Sequence, residues 1–121
     1  MVDKGSYTTA LIELDSIANA AMTGPQREMR AAPVLTESGI DVAELCTALG
    51  TSDLPWNAKK ASVYGVSVDA WLEALNVAGL SECKSLGDLL GVIHRAESAA
   101  AMLRAGYRPT RSAGGALSWT R

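Results

Sequence analysis

Phenylalanine is absent from this 121-residue chain, histidine occurs once, cysteine twice and proline only four times. Each shortage excludes something. Without phenylalanine, the core has to be built from Leu, Ile, Val, Met and three tryptophans, padded with alanine. Alanine buries little area but favours helix over sheet. One histidine and two scattered cysteines supply too few ligands for a structural zinc centre. No apolar run approaches the ~18 residues of a membrane span. Met1–Ser6 shows no basic start followed by an apolar stretch, so no secretory signal is read. The expectation is a cytoplasmic, soluble protein with no membrane contact. No glycine pattern of the dinucleotide-binding or P-loop kind is present. No cofactor and no metal are expected. Cys46 and Cys83 lie far apart in sequence. They read either as a disulfide or, the favoured reading, as two small apolar residues in a reducing compartment.

What is present is unevenly charged. Residues 1–90 carry six basic and twelve acidic side chains, whereas residues 91–121 carry five arginines against Glu97 alone. An acidic body with an arginine-only end suggests a chain that meets a partner through that end.

The apolar spacing and the stop signals predict an all-α fold, a compact bundle of about five to six short helices with glycine-closed turns. It is expected as a helical domain over 1–106 with an irregular basic tail over 107–121. The first helix is read over Thr8–Met22, with Glu13 and Asp15 on its solvated face. Pro25 opens a short helix, Gln26–Ala32, which Pro33 stops. Asp41 and Glu44 read as a capping box, Ile40 and Leu45 as its hydrophobic staple, and Gly50 as the left-handed closing residue. Ser52 or Asp53 caps a helix that runs from Pro55 to Tyr64 and ends at Gly65. Ser67 caps the next, with Val66 and Trp71 as a staple and Gly79 at its end. Ser85 with Asp88 starts the longest helix, to about Ala105, closed by Gly106. Glu97 is the polar interruption of its apolar stripe. Trp71 is read as core, and Trp56 as a cover on a helix end.

Residues 58–76 read AKKASVYGVSVDAWLEALN. Ala61 precedes Gly65 by four positions, Val66 follows the glycine, and Ser67 caps a second helix. This segment resembles the helix-turn-helix of bacterial repressors, and the resemblance implies such a unit over about 53–78. Two features depart from the family pattern. Lys60 occupies a slot that the family gives to an apolar residue, and the would-be recognition helix presents Val68, Asp69, Leu72 and Glu73 outward. Carboxylates there repel a polyanion. Of the types that read bases, only Asn76 is present, late in the helix, and Lys59 with Lys60 is thin support for phosphate contact.

Those four residues suit protein recognition better: an apolar strip edged by carboxylates, or else an apolar strip that simply faces the core. The tail is the second candidate. Arg108, Arg111 and Arg121 alternate with Tyr107 and Trp119, a pattern that fits an acidic protein surface, single-stranded nucleic acid or the chain's own acidic body. Ser112–Gly115 reads as flexible, and Ala116–Thr120 as a short strand or a docking segment. His94 with Cys46 or Cys83 is a weak nucleophile pairing that no spacing supports. The function expected is therefore a non-enzymatic protein-interaction or regulatory adaptor of the small accessory kind found in bacteria or phages. It would bind a protein partner, or a second copy of itself, through Arg108, Arg111, Trp119, Arg121 and the Val68–Glu73 face. The alternative is a helix-turn-helix DNA-binding transcriptional regulator.

Overall fold

The computed structural model describes residues 4–121; Met1–Asp3, the start of the segment read as lacking a secretory signal, lie outside the described residues. Six α-helices follow one another: α1 Lys4–Ala18, α2 Gly24–Ser38, α3 Val42–Leu49, α4 Pro55–Tyr64, α5 Val68–Val77 and α6 Leu86–Arg104. A 3-10 turn, Leu80–Glu82, bridges α5 to α6, and two short strands, β1 Arg108–Arg111 and β2 Leu117–Thr120, close the chain. The fold is an all-α bundle with a small C-terminal addition. No helix among the described residues is long and apolar enough to cross a membrane.

α6 is the hub, and it packs on α1, α2, α3, α4 and α5. Its buried residues, Leu89, Leu90, Val92, Ile93, Ala96, Ala99, Ala100 and Leu103, cover about half of its circumference, and His94, Arg95, Ser98, Ala101 and Arg104 lie exposed on the other side. Three of them are alanines, which lets neighbouring helices approach closely. The alanine-rich, phenylalanine-free composition therefore suits a helix that packs on five others along one side.

Local signals fix most of the boundaries. Ser85 and Asp88 form a reciprocal capping box at the start of α6, and Ser67 Oγ accepts the Ala70 N–H at the start of α5. Several boundaries differ from the expectation. α1 begins at Lys4 and ends at Ala18. Thr23 with Gln26 makes a capping box that starts α2, with Pro25 in the first turn. α2 then runs through Pro33 to Ser38. Pro33 and Met29, whose carbonyl the proline leaves without an amide donor, are both exposed, so the missing bond falls on the solvent side of the helix. Ala31 and Leu35, one turn apart on the buried side, hold the helix continuous.

α4 is capped by neither Ser52 nor Asp53. Its N-cap is Leu54, which makes no side-chain cap bond, and Asp53 instead pairs with Lys4. Asp41 caps α3 alone, because Glu44 accepts a hydrogen bond from Tyr7 at 3.2 Å rather than reaching back. Gly50 has φ −78° and is not left-handed. Trp56 covers no helix end: it is 1% exposed, in the core beside Trp71.

Candidate functional site

Three arrangements carry polar chemistry. The first is internal. Lys60 projects from α4 into the space between α1 and α6, where its ammonium lies 2.7 Å from Asp15 Oδ2 and 2.8 Å from Glu97 Oε1. Only 7% of Lys60 is exposed. Trp56, Tyr64 and Trp71 surround the ammonium at 5.6, 5.2 and 5.8 Å from their ring centroids, a cation–π cage already filled by the chain's own lysine. Trp56 meets Trp71 edge-on, and Tyr64 stacks on Trp71. Trp71 Nε1 donates to Asn57 Oδ1 at 2.9 Å, and the fully buried Asn57 donates onward to the Leu49 and Thr51 carbonyls. Burial raises Asp15 to about 6, helped by its hydrogen bond with Glu97 and opposed by Lys60. Burial also acts to raise Glu97, but hydrogen bonds from Asp15 and Lys60 hold it below its ordinary value. Lys60 is raised despite its burial, because two carboxylates hold its proton. Asn19 extends the network, donating to Glu97 and meeting His94 Nδ1 at 3.0 Å. Two expectations are corrected here. Lys60 is withdrawn from any phosphate-facing surface, and Asp15 is half-buried in an ion cluster rather than solvated.

The second arrangement is the α4–α5 unit. Gly65 takes φ +68°, Ala61 is buried and Ser67 caps, so the helix–turn–helix connection forms. A methyl on Gly65 would stand 2.8 Å from Arg104 Nε. Asp69 and Glu73 are exposed, whereas Val68 and Leu72 are half-buried and packed on the core. The strip is thus split: its carboxylates face out, and its apolar residues face mostly in.

The third is the C-terminal hairpin. Arg108 pairs with Thr120, Pro109 with Trp119, Thr110 with Ser118 and Arg111 with Leu117, antiparallel. The Ser112 N–H donates to the Ala116 carbonyl, and this sets the phase of the ladder. The 108/120 and 110/118 pairs exchange hydrogen bonds, while residues 109, 111, 117 and 119 turn their backbone groups outward. Proline removes one of the two outward donors of β1. The outward N–H and C=O groups of Leu117 and Trp119 on β2 have no backbone partner among the described residues.

Trp119 is half-buried and packs against the core. With Leu117 it walls a cleft of about 310 Å³ whose other lining includes Val77, Ala78, Ala99, Met102 and Arg95. The arginines fasten the hairpin down. Arg111 donates to the Val77 carbonyl at the end of α5, and Arg121 donates to the Ala105 carbonyl while lying over Tyr107. Both place a cation at the negative end of a helix. Arg108 is exposed, and its guanidinium donates to the carbonyl of its neighbour Tyr107.

The remaining candidate chemistry separates. His94 is paired with Asn19, while Cys46 and Cys83 face one another. Among the described residues no group of His, Cys, Asp or Glu is placed to hold a metal ion. No family model matches the chain, and no curated protein or solved structure matches it.

Proposed function

We propose that the protein is a non-enzymatic recognition module that binds an extended acidic segment of a partner protein along β2. The supporting observation is the outward backbone of Leu117 and Trp119 beside an apolar cleft. An added strand would take the main-chain bonds, and one apolar side chain would enter the cleft. Arg95 on its lining favours an acidic flank on the incoming chain. Trp119 would then act as one wall of the receiving cleft rather than as an anchor thrust into the partner. Docked on its own body, it is already ordered, which lowers the entropy lost on binding.

The test uses two sets of extended peptides with the same apolar centre, one with acidic and one with basic flanks. Amide shifts and Trp119 emission are followed in solution. Acidic peptides should bind, shift the Leu117 and Trp119 amides, and weaken as salt rises. Leu117→Pro should abolish binding while leaving the Thr110–Ser118 pairing in place, because residue 117 donates outward. Equal binding of both peptide sets, or shifts remote from β2, would remove the reading. Light scattering distinguishes the case in which the added strand comes from a second copy of the chain.

Regulation through DNA is the lesser reading. The α4–α5 geometry supports it. Exposed Asp69 and Glu73 and the buried Lys60 oppose it, leaving Lys59, Asn76 and the hairpin arginines as the polar contacts. DNA affinity that falls steeply with salt would be its signature.

A further inference from the structure

Cys46 projects from α3, and Cys83 lies between the 3-10 turn and the Ser85 cap of α6. Their Sγ atoms are 2.9 Å apart, although the residues are 37 positions apart in sequence. A disulfide needs about 2.05 Å between sulfurs, so a shift of less than about 1 Å closes the pair. Both side chains are only half-buried. An incoming reagent can reach them, and the product would still be packed against the core.

We propose that Cys46 and Cys83 are a modification site: they form an intramolecular disulfide by exchange with a small-molecule disulfide, and the bond staples α3 to the α5–α6 connection. One cysteine thiolate attacks a sulfur of the oxidant, giving a mixed disulfide and expelling one thiolate. The second cysteine, deprotonated, attacks the protein sulfur of that mixed disulfide and expels the other thiolate. The protein loses two protons and two electrons, and the oxidant leaves as two thiols. This inference is independent of the proposed function, since the thiols lie on α3 and the α5–α6 connection, not on the hairpin.

The surroundings decide the kinetics. Burial raises the Cys46 thiol, and burial together with Cys46 raises Cys83 strongly. Little thiolate is present at neutral pH, so exchange is slow there and quicker at mildly alkaline pH. The same property makes each sulfur a poor leaving group, so the closed bond resists reduction by small thiols. α3 is the element with most to gain. It has eight residues and buries only Leu45 and Leu49 along its length.

The experiment incubates the full chain with oxidised glutathione at mildly alkaline pH. Intact mass, maleimide labelling under denaturing conditions and thermal melting are then read. The expected product is a monomer lighter by two hydrogens with no labelled thiol. Its Tm should be higher by on the order of 10 °C, and the rise should be reversed by a dithiol reductant. Cys46→Ser and Cys83→Ser should each stop at a glutathione adduct and show no such rise. Wild-type protein that retains two labelled thiols, stable glutathione adducts on both cysteines, or disulfide-linked dimers would overturn the proposal.

Discussion

Lys60 of α4 and Glu97 of α6 answer one another. Each breaks the apolar pattern of its own helix, and their charges meet at 2.8 Å with Asp15 completing the cluster. Lys60→Met leaves two neighbouring carboxylates in a low-dielectric site without their cation. It should lower unfolding free energy by about 3 kcal/mol. The triple variant D15L/K60M/E97L removes every buried charge and should recover most of that loss, to within about 1 kcal/mol of the parent. Urea melts of the two variants check both figures.

The same cluster gives a pH signature. The folded-state value of Asp15 is raised to about 6 by burial and by Glu97. Its favourable contribution is therefore complete below the ordinary aspartate value and is lost as pH rises through about 6. Glu97 is lowered and acts in the opposite sense, losing its contribution as pH falls. Asp15→Asn isolates the first effect. Between mildly acidic and neutral pH, the wild type should lose stability relative to this variant by on the order of 1 kcal/mol, after discounting for solvent screening. Parallel stability curves for the two proteins would contradict the assignment.

Asn57 holds three groups at once: the Trp71 indole N–H and the Leu49 and Thr51 carbonyls. Asn57→Leu keeps the approximate volume and orphans all three. A loss of about 3 kcal/mol is expected, with the near-ultraviolet signal of Trp71 changing even where the fold survives. Chemical denaturation together with aromatic circular dichroism reads both effects.

Gly65 joins α4 to α5 at φ +68° with Arg104 close by. Gly65→Ala brings left-handed strain and forces the guanidinium aside. The expected cost is about 1–2 kcal/mol. Because the Arg104 head is flexible, Gly65→Ala/Arg104→Ala should lose no more than Gly65→Ala alone. Thermal melts of the set test this.

The parts of the fold legible in the sequence are those that depend on neighbours along the chain. Ser67, Ser85 with Asp88, Gly65 and Gly79 act within a turn or two, and they sit where their types imply. The ion cluster was not legible helix by helix, because its members lie 37 and 45 positions apart. Asp15 read as solvated only because its own helix offered no partner. The available signal was the pair of opposite charges in apolar slots, Lys60 and Glu97, which has meaning only when two helices are considered together. Pro33 misled for a related reason: its local effect is real, but it falls on the exposed side, and the buried Ala31–Leu35 face outweighs it. In the tail, the arginines read as equally suited to a partner or to the chain's own body, and the carbonyls they fasten to, Val77 and Ala105, could not be named from residues 107–121 alone.

Pro109 gives the hairpin a sidedness. One lateral face of the two-stranded sheet has lost a donor, and the other keeps its full complement. A strand that joins the intact side finds no equally good side at which to continue the series. Two copies meeting through β2 would bury both intact sides and stop, leaving the proline-bearing sides outermost. Were strands to add at this end, its valency would therefore be one, and association through it would end in a pair rather than a fibre.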